Sequence, residues 1–218
     1  PRASWAWALG YGTSTRGGDH LRAQPVIEWL WTPEMAEEVF GTTKVLSRLS
    51  HEGKGIVVSW FENIRAINDS LEVCKYLIRG NPDMFLKWPV KAMRTVTGVD
   101  FDEKTLMKCG ERIFNVEKAF NTMEGLSRKD DYLPERYYTQ PMPKGPIKGT
   151  YIPKEKWDAM LDEYYDTRGW DKNTGFQTRE KLEELGLKYI ADELEHMGKL
   201  SEGKEKSEGQ KLHSLLKS

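Results

Sequence analysis

Cysteine is almost missing from this 218-residue chain, which holds only Cys74 and Cys109. Two thiols without CxxC or zinc-knuckle spacing exclude a disulfide scaffold and suit a reducing, cytoplasmic setting. Long apolar runs are missing as well. No stretch approaches the roughly 20 residues that cross a bilayer, and residues 1–14 lack an apolar core behind a basic region. A membrane protein and a standard secreted precursor are therefore not expected. Charge of one sign is also lacking, since 33 Lys and Arg stand against 34 Asp and Glu. Phosphate-backbone binding leaves a basic surplus, so nucleic acid is not an expected partner. What the chain does have is eight Trp, nine Tyr and seven Phe, large apolar faces that can fill a core or line a crevice.

Helical periodicity dominates. Residues 1–31 read as a loop-rich start with one short helix and a glycine-rich turn, Gly10 to His20. Thr32-Pro33 predicts a capped helix over 33–40, closed by Gly41. From Gly55, the residues Val57, Trp60, Phe61, Ile64, Ile67 and Leu71 recur at three- and four-residue steps, which outweighs the strand-like Ile56-Val57-Val58. Asp69 marks the change to a second helix carrying Val73, Leu77 and Ile78 and ended by Gly80-Asn81-Pro82. Residues 102–121 form the clearest helix, capped by Asp100 or Asp102, with Leu106, Cys109, Ile113, Val116 and Phe120 on one stripe. Residues 125–149, with four prolines, read as an extended, ordered connection. Helices follow at Pro153, bearing Trp157, Met160, Leu161, Tyr164 and Tyr165, at Thr178, ending near Gly186, and over Tyr189 to Met197. The expectation is an all-α, irregular multi-helix domain of five to seven helices with a glycine-rich N-terminal loop and a long proline-rich connection. It spans residues 1–198, and residues 199–218 form a charged, fraying tail.

Two segments concentrate chemistry. Arg16-Gly17-Gly18-Asp19-His20-Leu21-Arg22 combines flexible backbone, a carboxylate, an imidazole and two guanidinium groups, a set suited to an anion. On spacing alone the first reading is an ordinary glycine-rich turn. Gly10-x-Gly12 is no dinucleotide fingerprint, because Thr15 takes the place of the third glycine and no strand precedes it. In Asp69-Ser70-Leu71-Glu72-Val73-Cys74-Lys75, Cys74 can serve as a thiolate ligand, and Asp69 can accept from a ring N–H. The plain alternatives are a helix N-cap and a small core residue. Cys109, on its apolar stripe, reads as core. His51, His196 and His213 receive no role, and the charged run Glu180–Glu195 reads as a solvated helix face.

Longer motifs carry more. Ala6-Trp7-Ala8-Leu9-Gly10-Tyr11-Gly12-Thr13-Ser14-Thr15-Arg16-Gly17-Gly18-Asp19-His20-Leu21-Arg22-Ala23, the Asp69–Lys75 segment and Gly110-Glu111-Arg112-Ile113-Phe114-Asn115-Val116-Glu117-Lys118-Ala119-Phe120-Asn121 occur in this order. Ser127-Arg128-Lys129-Asp130-Asp131, Leu133-Pro134-Glu135-Arg136, Leu161-Asp162-Glu163-Tyr164-Tyr165 and Arg168-Gly169-Trp170 follow. Together, over about residues 3–195, they resemble the aldehyde ferredoxin oxidoreductase family.

The resemblance implies tungsten, occasionally molybdenum, held by two pterins beside a 4Fe-4S cluster, with aldehydes oxidised to carboxylic acids and electrons passed to ferredoxin or another redox subunit. It implies that this chain corresponds to the last helical domain. The N-terminal β domain and the middle domain, with its three cluster cysteines, would belong to a longer parent polypeptide, and the chain alone would be inactive. By the same resemblance Cys74 is the fourth cluster ligand and Asp69 hydrogen-bonds a pterin. His20 lies near the metal as a proton-transfer or orienting group, and Arg22 lies near the pterin phosphate region. Glu72 departs from the pattern, which has glycine there; either the turn is placed differently or the pterin contact is altered. Two alternatives stand beside this reading, a cofactor-free helical scaffold and a ring-reducing benzoyl-coenzyme A reductase-type subunit. A homodimer is among the partner arrangements allowed.

Overall fold

The computed structural model describes residues 2–76 and 81–201. Among these described residues ten α-helices follow one another: α1 Trp5–Gly12, α2 Ile27–Leu30, α3 Pro33–Phe40, α4 Lys54–Ser70, α5 Lys87–Thr97, α6 Glu103–Met123, α7 Arg136–Thr139, α8 Lys154–Arg168, α9 Arg179–Glu184 and α10 Lys188–His196. Short 3-10 turns at Lys44–Leu46, Pro82–Met84 and Arg128–Asp131 join some of them. Among the described residues β pairing is limited to two isolated bridges, Trp170 with Gln177 and Thr178 with Ser201. The all-α expectation holds, with more helices than five to seven: the single turns α2 and α7 leave no periodic signature, and α5 is not among the expected helices.

α4 is the axis. It is buried nearly all round, from Gly55 through Ile64 and Ile67 to Asn68, as a helix enclosed by others must be. α1, α6 and α8 pack on it. Two glycines set the spacing. A Cβ on Gly55 would lie 2.3 Å from the Tyr164 amide nitrogen, and one on Gly110 would lie 2.3 Å from the Asn63 carbonyl oxygen. Helix backbones approach that closely only where the side chain is absent. The exposed amides at the start of α4 are satisfied from α8, since Gly53 N and Gly55 N donate to the Glu163 carboxylate at 3.0 and 2.7 Å, a favourable charge at a helix N-terminus. All five apolar residues expected on α8 are buried. A smaller core joins α6, α9 and α10 through Ala119, Leu182, Leu185, Leu187, Ile190 and Leu194.

Thr32 and Asp102 cap α3 and α6 as expected, and Thr178 caps α9. Four expectations need correction. Gly10 and Gly12 lie inside α1 and not in the turn; they are glycines because a Cβ there would collide with Ala23 and with the Asp131 carbonyl and Trp157. The second helix after Asp69 does not form over residues 71–76, which are two turns around an irregular Val73-Cys74; Leu77 and Ile78 lie outside the described residues. Of the expected α6 stripe Leu106 is buried and Ile113 half-buried, but the buried face otherwise runs through Gly110, Phe114, Asn115, Lys118, Ala119 and Thr122. Backbone approach at Gly110 sets the helix rotation, leaving Cys109 half-buried and Val116 and Phe120 exposed. The proline-rich connection, finally, contains the Arg128–Asp131 turn and α7 and is not extended throughout.

Residues 199–201 are held. Lys199 Nζ donates to the Met123 carbonyl at 2.6 Å, and Ser201 N to that of Gln177 at 3.0 Å. The rest of the expected tail lies outside the described residues.

Candidate functional site

The site grows from the junction of two sequence segments. α1 ends at Gly12, and residues 13–24 turn back over the C-terminal end of α4, where Asp69 sits in the last turn. Arg22 is buried and forks between elements. Its Nη1 donates to Asp69 Oδ2 at 2.8 Å, its Nη2 to Glu117 on α6 and its Nε to Thr15 Oγ1 at 3.4 Å. Thr15 Oγ1 in turn donates to the other Glu117 oxygen at 2.6 Å, and Asn121 Nδ2 donates to the Thr15 carbonyl at 2.8 Å. From the opposite side Lys75 Nζ reaches both Asp69 oxygens, at 2.9 and 3.0 Å, and the Leu21 carbonyl at 3.0 Å. Burial pushes the Lys75 ammonium below its ordinary value, against the pull of Asp69. The result is an alternating chain of charge: Glu117, Arg22, Asp69, Lys75.

Lys75 places the four expected site residues around one loop. Its bond to Leu21 joins the Cys74 turn to the residue between His20 and Arg22. Cys74 itself is exposed, so the reading of a small core cysteine fails. Asp69 closes a helix and opens none, so the N-cap reading fails too. Glu72 stands at φ 54°, in the left-handed region. That is the conformation a glycine would adopt freely. An exposed carboxylate thus stands in a backbone conformation that glycine would also adopt.

His20 rests on aromatic rings. Its imidazole stacks on Trp7 at 5.6 Å between centroids, and Tyr11, one turn further along α1, lies at 6.0 Å. Trp29 stacks on Trp7 at 4.6 Å and 14°, so the platform continues to the surface. Sequence reasoning passed over Trp7, Lys75 and Glu117. The first two adjoin assigned residues or lie in a quoted motif, and Glu117 stands in the α6 motif, the one signal that could have found it.

A second polar system lies deeper, in the core. Glu62 is fully buried and accepts from Arg168 Nη2 at 2.6 Å, Tyr164 Oη at 2.7 Å and Thr13 Oγ1 at 2.9 Å. Arg168 Nη1 donates to Asn63 Oδ1 at 2.6 Å. Lys54 and Glu28 form another enclosed pair at 2.7 Å, and Asp131 receives Tyr165 and Lys118. Burial holds the carboxyls of Glu28, Glu62 and Asp131 above the usual range, opposed by their basic partners. Thr13 links this system to the loop of the site.

Among the described residues no group of three or more His, Cys, Asp or Glu side chains is placed to hold a metal ion. One exposed thiol and one half-exposed carboxylate fit a contribution to a cluster and a pterin, not a whole site. No helix among the described residues is long and apolar enough to cross a membrane.

Comparison with known proteins gives a consistent answer. The family described as aldehyde ferredoxin oxidoreductase, domains 2 and 3, matches residues 1–187. The tungsten-containing aldehyde ferredoxin oxidoreductase of Pyrococcus furiosus is 33% identical over 189 residues, 86% of this chain and 29% of the relative. The aliphatic sulfonate oxidoreductase, WOR-like subunit, of the same organism is 25% identical over 185 residues. The chain thus spans under a third of the length of these relatives. Among solved structures, the active site complex BamBC of benzoyl coenzyme A reductase, in complex with 1,5-dienoyl-CoA, shares 29% identity at a TM-score of 0.55. That match covers 70% of this chain and 22% of the other.

Proposed function

This chain belongs to the aldehyde ferredoxin oxidoreductase family, and on that premise we propose that it is the helical part of a cytoplasmic tungsten, or molybdenum, bis-pterin oxidoreductase. The parent enzyme oxidises aldehydes to carboxylic acids and passes the electrons through a 4Fe-4S cluster to ferredoxin or another redox subunit. Its N-terminal and middle domains are the immediate partners, and a homodimer is the further assembly to test. When bound, the metallopterin and cluster supply the two- and one-electron redox chemistry.

This chain's residues supply the setting. Asp69 accepts hydrogen bonds from pterin ring N–H groups, and Cys74 gives the cluster one thiolate. His20, steadied on Trp7, moves a proton or orients substrate. Arg22, whose donors reach Asp69, Glu117 and Thr15, serves the pterin by backing Asp69. The observation that carries the reading is the end of α4. Asp69, in the last helical turn, keeps a 40% exposed side chain, and Cys74 is exposed just past the left-handed Glu72, while Lys75 ties this turn to Asp69 and to the Leu21 carbonyl.

The test is Cys74→Ala in the full-length parent protein. Iron should fall with tungsten largely retained; iron and activity at wild-type levels would overturn the assignment. His20→Ala should keep its metal and lose about 100- to 10,000-fold in turnover per tungsten. Lost thermal stability with turnover intact would defeat the catalytic role. Metal analysis finding neither tungsten, molybdenum nor iron would favour the cofactor-free scaffold. The likeness to the benzoyl coenzyme A reductase complex favours a second reading, a ring-reducing subunit, which product analysis with aromatic thioesters separates from aldehyde oxidation.

A further inference from the structure

The Gly110–Asn121 motif is given no role of its own above, yet two of its residues, Glu117 and Asn121, reach the site loop. Gly110 closes α6 on α4, and the Asn115 side chain accepts from Trp170 Nε1 at 3.0 Å and Gln177 Nε2 at 2.7 Å. With the helix so fixed, Glu117 projects toward Arg22 and Thr15.

We infer that Glu117 is a positioning residue that sets the direction of the Asp69 carboxylate, acting through Arg22. The inference rests on the reading in which Asp69 meets the pterin. A guanidinium is a planar fork, and one carboxylate on one arm leaves it free to swing about that contact. Here Nη1 holds Asp69, Nη2 holds Glu117 and Nε leans on Thr15, so the plane is fixed from three directions. Both Glu117 oxygens are engaged, one by Arg22 and one by Thr15. Fixing Arg22 fixes one side of Asp69; Lys75 holds it from another, yet the side chain is still 40% exposed, so acceptor capacity remains at the surface. Charge acts in the same direction. Without Glu117 two cations would compete for Asp69 alone and draw its lone pairs inward, away from a ring N–H donor.

The experiment measures pterin and tungsten per polypeptide, together with thermal melting, in the full-length parent carrying Asp69→Asn, Glu117→Ala, Glu117→Gln and the Asp69→Asn/Glu117→Ala double variant. Loss of an outer partner that orients a ligand costs about 10-fold in affinity, so Glu117→Ala should lower pterin retention to that extent. Glu117→Gln, which keeps an acceptor for Arg22, should recover part of it. The double variant should be no worse than Asp69→Asn alone, because one residue acts through the other. Independent, additive losses, or Glu117→Ala with full occupancy beside a depleted Asp69→Asn, overturn the inference and leave the proposed function standing. Full occupancy in Asp69→Asn removes the pterin role of Asp69 and the inference with it. If Glu117→Ala does not fold, Glu117→Gln and its double with Asp69→Asn decide by the same comparison.

Discussion

Two clusters of charge in this protein use the same side chains under different conditions. Around Glu62 and Arg168 both partners are closed off from solvent, at 0% and 1% exposure, and the carboxylate is met on both oxygens by protein donors. Around Arg22 the guanidinium is as buried as a core residue, but its partners Asp69 and Glu117 stay 40% and 29% exposed. The first arrangement leaves nothing over for a ligand and can only hold α4, α8 and the end of α1 together. The second keeps acceptor capacity at the surface, on a loop pinned from two helices. Exposure of the carboxylate, more than the presence of an ion pair, separates a structural charge from one suited to binding.

The largest expected effect tests that distinction directly. Arg168→Ala abandons a buried Glu62 carboxylate and should cost about 3–5 kcal/mol in urea unfolding. Arg22→Ala leaves carboxylates that reach water and should cost about 1–2 kcal/mol. Equal losses would erase the contrast. Next in size, Gly110→Ala forces a methyl against the Asn63 carbonyl and should cost about 1–3 kcal/mol. Gly18→Ala in the site loop, where a Cβ would meet nothing within 4 Å, should stay within about 0.5 kcal/mol.

A third test uses pH. Burial raises the Asp131 carboxyl in the folded chain, so the native state holds this proton more tightly than the unfolded one. Its contribution is present in full below the unfolded value of about 3.9 and is lost as pH rises through the raised folded value. The stability of wild type relative to Asp131→Asn should therefore fall with rising pH, as urea midpoints between pH 4 and 8 can follow; a rise would reverse the assignment. The smallest effect belongs to the site turn. Glu72→Gly removes a left-handed non-glycine residue but loosens the unfolded chain, for a net gain of no more than about 1 kcal/mol. A clear loss of stability would show that the Glu72 side chain itself supports the turn.

The sequence alone determined the helical class, the caps Thr32, Asp102 and Thr178 and the core face of α8, because these follow from spacing and from backbone groups a few residues apart. Its motifs also determined the family, and with it the expectation for Asp69, Cys74, His20 and Arg22. Tertiary structure decided the rest. Helix rotation at α6 followed from the contact of Gly110 with Asn63 and overrode the apolar stripe of Cys109, Val116 and Phe120. The need for glycine at Gly10 and Gly12, inside α1, followed from the approach of Ala23, the Asp131 carbonyl and Trp157. Burial of Glu62, Lys54 and Arg168 was invisible beforehand, since a charged residue enters a core only when a distant partner meets it there. For the same reason only the fold could bring Glu117, nearly a hundred residues along the chain, to the far arm of Arg22. Local spacing encodes what neighbours along the chain do, whereas the pairing of charges across helices depends on the whole packing.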